Sequence, residues 1–421
     1  IWSYFQSIGD YVLEYGGIIQ FRAGPHIVYV VNDPEAVGII ANTCLDKPYY
    51  YKFLIDGLGN GLITLNGEMW KIHHKLLNPA FSQHVLNTYL NEMDAQAQNL
   101  VSQLTTVAGR TKKVWRSTSL RLEAKDQDMI DNEYAKAIEE IANIVVRRAL
   151  NPVFHFSFLF NWTAMYKRQV KLSRNNKKLL DPIIQKRKSD LTATKQTVNN
   201  NDDSVPGKFK PALDLLLHLS DERYVLSDDE IRAHLNTFVA ASYDTTSSVL
   251  QIVLLVLGSY PEIQERVYNE IQDVFGNRQE LTKHDMTKLI YLDAVIKEVL
   301  RMYNTIPLIA RKLNTDIVLP KYTLRAGSSC IMSIYGLHRH SSWGPDAKQF
   351  KPERWLNPAT LPTNLNVYAP FGKQYAMMSM KTSLVHIVRK FHITGDISTL
   401  KWNFEVVLKA KTPLINLTLR S

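Results

Sequence analysis

Residues Ser227 to Ser259 read as one long helix. Apolar residues recur there at three- and four-residue spacing, Ser227 sits where an N-cap belongs, and Asp228, Asp229 and Glu230 place negative charge in the first turn, where the helix dipole favours it. Roughly four turns on, the apolar face is interrupted by Ala241-Ser242-Tyr243-Asp244-Thr245-Thr246. A buried acid–alcohol pair is unfavourable unless it is hydrogen-bonded. Taken alone, the pair still reads as ordinary interior polar residues. Similar periodicity predicts helices over Leu86 to Val107, Asn132 to Leu150, Glu262 to Phe275 and Met286 to Tyr303. Strands are predicted at Ile27 to Val31, closed by Asn32-Asp33-Pro34 with Asp33 capping the next helix, and around Ile317-Val318-Leu319 and Ser328 to Tyr335. The pattern is mainly α with a small β region.

A chain of 421 residues, 45% of them hydrophobic, has ample material for a large core. The two cysteines, Cys44 and Cys330, make no disulfide framework, which fits a reducing environment. The net charge of +10 is diffuse and does not form a nucleic-acid arm; Lys186-Arg187-Lys188 reads as a solvated helix face. The most apolar run, Val249 to Leu257, is far below the roughly 20 residues needed to cross a bilayer, so no transmembrane helix is expected. The one linker-like stretch, Asn199 to Gly207, reads as a polar loop, and the chain is expected to form a single domain over residues 1–421.

Glu298 and Arg301 in Glu298-Val299-Leu300-Arg301 share a helix face and can pair, and Arg354 follows in Pro352-Glu353-Arg354-Trp355. This ordered set, with the acid–Thr pair upstream and Trp70-Lys71-Ile72-His73-His74 earlier still, resembles the cytochrome P450 family. Asn78-Pro79-Ala80-Phe81 and Tyr335-Gly336-Leu337-His338-Arg339 are similar to its fourth family and the insect relatives. The resemblance covers nearly the whole chain.

It implies a cytochrome P450 fold, haem as cofactor and monooxygenation of an apolar small molecule, a fatty acid, hormone or foreign compound, by O2. The electrons would come from NADPH through a flavoprotein reductase. By the same resemblance Asp244 and Thr245 handle protons for oxygen activation, and Trp70, His74 and Arg311 hold the haem propionates. Glu298, Arg301 and Arg354 form a structural network beneath the haem. His74 stands where Arg is usual and is only partly charged near neutral pH, with Lys75 available to compensate. Ser242 replaces a Gly, which narrows the groove, and Ala241 replaces the Glu that esterifies haem in one branch. The implied location is the cytoplasmic face of the endoplasmic reticulum membrane, with an N-terminal anchor expected ahead of Ile1.

One element of the family pattern is missing. Phe371 should open a loop presenting the axial cysteine, yet it runs directly into Gly372-Lys373-Gln374-Tyr375-Ala376-Met377-Met378. Cys44 and Cys330 lack the loop-then-helix setting that stabilises a thiolate, and Tyr375 or Met377 cannot supply thiolate electron push. No metal ligand is therefore assigned. The alternative to an active monooxygenase is a catalytically silent relative that keeps the fold. The polar, short stretch from Ala108 to Asp131 is a second departure from the family.

Overall fold

The structure, a computed structural model, describes residues 2–24, 26–106, 108–109, 132–197, 213–214, 216–217, 226–278, 280–370, 374–411 and 413–420. The described helices include α1 (Trp2–Glu14), α2 (Pro34–Thr43), α3 (Lys52–Leu58), α4 (Gly67–Leu77), α5 (Gln83–Thr88), α6 (Leu90–Thr105), α7 (Asn132–Leu150) and α8 (Ser157–Phe160). They continue with α9 (Ala164–Thr197), α10 (Asp228–Ser259), α11 (Pro261–Phe275), α12 (Lys283–Lys288), α13 (Ile290–Met302), α14 (Ile334–Leu337) and α15 (Gln374–Lys390). Strands are β1 (Ile18–Ala23), β2 (His26–Val31), β3 (Leu308–Lys312), β4 (Ile317–Val318), β5 (Thr323–Leu324) and β6 (Ser329–Ser333). The last four are β7 (Phe391–Gly395), β8 (Trp402–Phe404), β9 (Leu408–Ala410) and β10 (Ile415–Leu419). The protein is mainly helical with a small β region. By its internal contacts the chain divides into a first unit, Ile1–Pro48, Leu90–Leu122 and Thr245–Ser421, and a second, Tyr49–Tyr89 and Glu123–Asp244.

In the first unit the sheet runs β1-β2-β6-β3, with β2 and β6 parallel and the outer pairs antiparallel. The Asp33 side chain accepts from Ala36 N at 2.7 Å and so caps α2, as its sequence position predicts. The main core gathers Val249 to Leu257 of α10 with apolar faces of α11, α13 and α15. At the end of that run Gly258 lies against β7: a Cβ there would sit 2.7 Å from the Gly395 nitrogen and 2.8 Å from the Thr394 carbonyl carbon. Neither backbone atom can turn aside.

In the second unit α3, α7 and α9 enclose a core centred on Ile141, Phe160 and Ile184, all fully buried. Tyr134 donates to Asn236 Oδ1, and Asn236 Nδ2 donates to the Leu58 carbonyl at 2.9 Å. A buried histidine pair joins α4 to α10, His73 Nδ1 to His234 Nε2 at 2.8 Å. Burial pulls the His234 imidazole down to about 4, with His73 adding to the effect.

Several expectations change. The Leu86 to Val107 helix divides at Tyr89 into α5 and α6, and the Met286 to Tyr303 helix divides at Leu289 into α12 and α13. The Thr282 hydroxyl and the Asp285 carboxylate form a reciprocal capping box that starts α12, and past the break the Glu270 carboxylate caps α13, accepting from Tyr291 N at 2.6 Å and Leu292 N at 2.9 Å. Helix α9, 34 residues with Pro182 inside, is largely polar, and only its Lys186-Arg187-Lys188 stretch is read as helix from the sequence. Helix α10 as a whole, unlike its apolar run, is long and apolar enough to span a bilayer; the burial of Val249 to Leu257 assigns that run to the core. Lys186-Arg187-Lys188 is also less free than expected, since Arg187 pairs with Asp214 and Lys188 with Asp228. The Asn199 to Gly207 loop and most of the Ala108 to Asp131 stretch lie outside the described residues.

Candidate haem-site scaffold

Helix α13 holds Glu298 and Arg301 one turn apart, both fully buried. The carboxylate receives five hydrogen bonds. Oε1 accepts from Arg301 Nη2 at 2.7 Å, Arg354 Nε at 3.0 Å and Lys351 N at 2.9 Å. Oε2 accepts from Arg301 Nε at 2.9 Å and Trp355 Nε1 at 2.9 Å. Arg301 turns its remaining N–H groups to three carbonyls, those of His338 (2.7 Å), Ala347 (2.6 Å) and Gln349 (2.9 Å). Arg354 also reaches the Asp346 carboxylate at 3.2 Å. Only a planar fork with several fixed donors can serve a carboxylate and a loop of carbonyls together.

Sequence reasoning missed three members of this assembly. Lys351 contributes through its backbone and Trp355 through its indole, which motif spacing does not single out. His338 is buried, its Nδ1–H donating to the Arg301 carbonyl at 3.1 Å and its Nε2 accepting from Ala369 N at 3.1 Å. Burial, reinforced by the Arg339 and Arg301 charges, lowers this imidazole to about 3, so it stays neutral and can accept from Ala369. His338 thus fixes the strand of chain that leads to Phe371. Phe371, Gly372 and Lys373 themselves lie outside the described residues.

The other predicted site residues fall as follows. Trp70 and His74 come together on α4, rings stacked at 4.6 Å and 19°, with His74 exposed. Both belong to the second unit and Arg311 to the first. Arg311, on β3 opposite Cys330 of β6, donates Nη1 to its neighbour's carbonyl at 2.9 Å, while its buried Nε has no partner among the described residues. Lys47, also buried, is drawn down to about 8 by burial and then by the Arg311 charge. Two crowded cations with an orphaned N–H suit a carboxylate ligand. Thr245 is half-buried on α10, and Ser242 donates back to the Phe238 carbonyl at 2.6 Å. The side chain of Asp244 lies outside the described residues.

A family model for cytochrome P450 matches residues 3–416. Cytochrome P450 4V2 of Rattus norvegicus is 31% identical, the match spanning 94% of this chain and 80% of that protein. Cytochrome P450 4c21 of Blattella germanica is 27% identical over 97% of this chain and 86% of its own length. For the probable cytochrome P450 4d21 of Drosophila melanogaster the figures are 27%, 97% and 87%. The chain belongs to the cytochrome P450 family and resembles its fourth family. Members of the family are monooxygenases that use haem.

The iron side of such a site is not provided for by these residues. The family's haem is held by a thiolate. Cys44 and Cys330 are both buried in one apolar cluster with Val31, Ile40 and Met332. Burial, and secondarily the neighbouring Cys44, pushes the Cys330 thiol up to about 12, far from the thiolate form. Among the described residues no group of three metal-ligating side chains exists. The residues present therefore fit a haem carboxylate at Arg311 but do not fit thiolate ligation of the iron.

Proposed function

We propose that the chain is a family-4 type cytochrome P450 whose reaction is oxygenation of an apolar small molecule, a fatty acid, hormone or xenobiotic, with electrons from an NADPH-dependent flavoprotein reductase. The observation that carries this reading is the Glu298–Arg301–Arg354 network together with His338, which fixes the approach to Phe371 in the way a haem loop requires. In this reading residues 1–421 act as one cytochrome P450 domain. Trp70, His74 and Arg311 bind the haem carboxylates, and Asp244 with Thr245 moves protons on α10.

We further propose a place at the cytoplasmic face of the endoplasmic reticulum membrane. Support comes from the second unit, where Val153, Phe156, Phe158 and Trp162 are exposed, Trp162 by 88%. No Asp or Glu occurs between Ile141 and Leu180, while exposed Lys167, Lys171, Arg174 and Lys178 follow the apolar patch. Apolar and aromatic residues beside unopposed cations suit an anionic bilayer surface.

A second reading is favoured by the two cysteines: as these residues stand, the protein is a catalytically silent relative. The readings part at the Phe371–Gly372 junction. Sequencing the transcript from Pro370 to Met380 tests the first, which requires a cysteine-bearing insertion there. A carbon monoxide difference spectrum of the purified 421-residue chain tests the second, which is overturned by the Soret band of a thiolate-ligated haem.

A further inference from the structure

The first unit contains a recess of about 80 Å³ between α1, the end of α13, α14 and the β8 and β9 strands. Its walls are aromatic: Trp2 meets Tyr335 edge-on at 5.6 Å, and Tyr303 stacks with Trp402 at 6.3 Å. Its polar lining includes Gln6, whose amide offers both a donor and an acceptor, and two buried donors that lack acceptors among the described residues. Asn304, 6% exposed, uses Oδ1 to accept from Ile306 N at 2.9 Å. That bond fixes which way the amide faces and leaves Nδ2, a buried donor, with no partner among the described residues. Trp2 is 8% exposed, and its buried Nε1 also has no partner among the described residues.

Beside them lies Arg339. Its guanidinium stacks over Tyr335 at 3.9 Å and donates to the carbonyls of Tyr335 (3.3 Å) and Met302 (2.6 Å). Among the described residues no carboxylate forms an ion pair with it; Asp10, the carboxylate nearby, is held instead by the Tyr335 hydroxyl at 3.5 Å. Arg339 is half-buried; desolvation lowers its pKa, and the nearby Asp10 charge offsets this only in part. A water molecule can satisfy an orphaned N–H, but it cannot balance the charge. Neither can a neutral apolar ligand, which would leave the Asn304 and Trp2 donors unmade.

We infer that this recess is a binding site for a carboxylate, its oxygens taking the Asn304 Nδ2–H and Trp2 Nε1–H donors and its charge facing Arg339. The volume accommodates an acetate-sized head, and a longer apolar tail has to leave through the mouth along the Trp402 and Leu408 wall. The site uses none of the residues assigned to haem or oxygen chemistry and stands independently of them.

Two of the chain's seven tryptophans, Trp2 and Trp402, line the recess, so binding there changes tryptophan fluorescence, and the Asn304 variant below ties the change to this site. The purified full chain is titrated with sodium acetate and with sodium octanoate, against sodium chloride at equal ionic strength and octanol, which carries the tail without the charge. A saturable change with either carboxylate and none with the controls is expected. Tighter binding of octanoate assigns the head of a longer apolar acid as the ligand, and equal affinities assign a free short-chain acid. Asn304→Asp keeps the volume and the acceptor for Ile306 but replaces the donor with negative charge. It is expected to weaken carboxylate binding about tenfold or more, equivalent to ~1.4 kcal/mol, in protein that still unfolds cooperatively in urea. No saturable response to either carboxylate overturns the inference, leaving a recess that holds water only. Wild-type affinity in folded Asn304→Asp also overturns it, since the acid then binds elsewhere on the chain.

Discussion

Glu298→Ala removes the one acceptor that two buried guanidinia and an indole share. Stranding buried charges of this kind costs about 3–5 kcal/mol. The expected outcome is misfolded, insoluble protein, checked by soluble yield and by a denaturation curve on any soluble fraction; a soluble variant with wild-type cooperativity refutes it. His338 yields a prediction about pH. The unfolded imidazole takes up a proton below about pH 6.5, whereas the folded one stays neutral down to about 3. Protons therefore favour the unfolded chain, and stability present above the unfolded value is lost as pH falls through that window. His234, lowered to about 4, acts in the same direction. Each buried histidine adds a slope of up to ~1.4 kcal/mol per pH unit. Urea midpoints should fall steadily from about pH 7 to about pH 5; a flat profile counts against the assignment.

At the scale of elements, Gly258 is the position where α10 and β7 come too close for a side chain. Gly258→Ala forces the helix off the strand and should lower stability by about 1–3 kcal/mol, read from chemical denaturation. On the second unit, the double change Phe158→Asp and Trp162→Asp should reduce co-sedimentation with vesicles containing phosphatidylserine while leaving the unfolding midpoint in place, because both side chains are exposed. Unchanged vesicle binding eliminates this patch as the membrane contact.

The sequence revealed elements whose burial is one-sided and whose ends are marked by side chains. Helix α10 begins where Ser227 and Glu230 exchange hydrogen bonds across its first turn, and α7 coincides with its periodic segment. What escaped was of two kinds. Helix α9 is too polar to show a strong apolar stripe, and the Tyr89 and Leu289 breaks depend on turn geometry within apolar runs. In the site scaffold, Glu298, Arg301 and Arg354 were legible as motif residues. Lys351 and Lys47 were not, because a backbone donor and a neighbouring cation leave no fixed spacing in the chain; His338 stands inside a recognised motif, but its part as a neutral acceptor for Ala369 depends on the fold.

For the whole molecule, the proposal of one domain over 1–421 predicts a single unfolding transition. Far-ultraviolet circular dichroism and tryptophan fluorescence should give coincident curves in denaturant; two separated transitions reject it. The five hydrogen bonds on Glu298 also bear on how this lineage could lose its chemistry. A carboxylate offers about four lone-pair sites, and here every donor comes from α13 or from residues 351–355, before Phe371. Nothing in that arrangement depends on what lies between Phe371 and Gly372. The support that Glu298 gathers is therefore complete before the chain reaches Phe371, so a chain without an axial thiolate retains it.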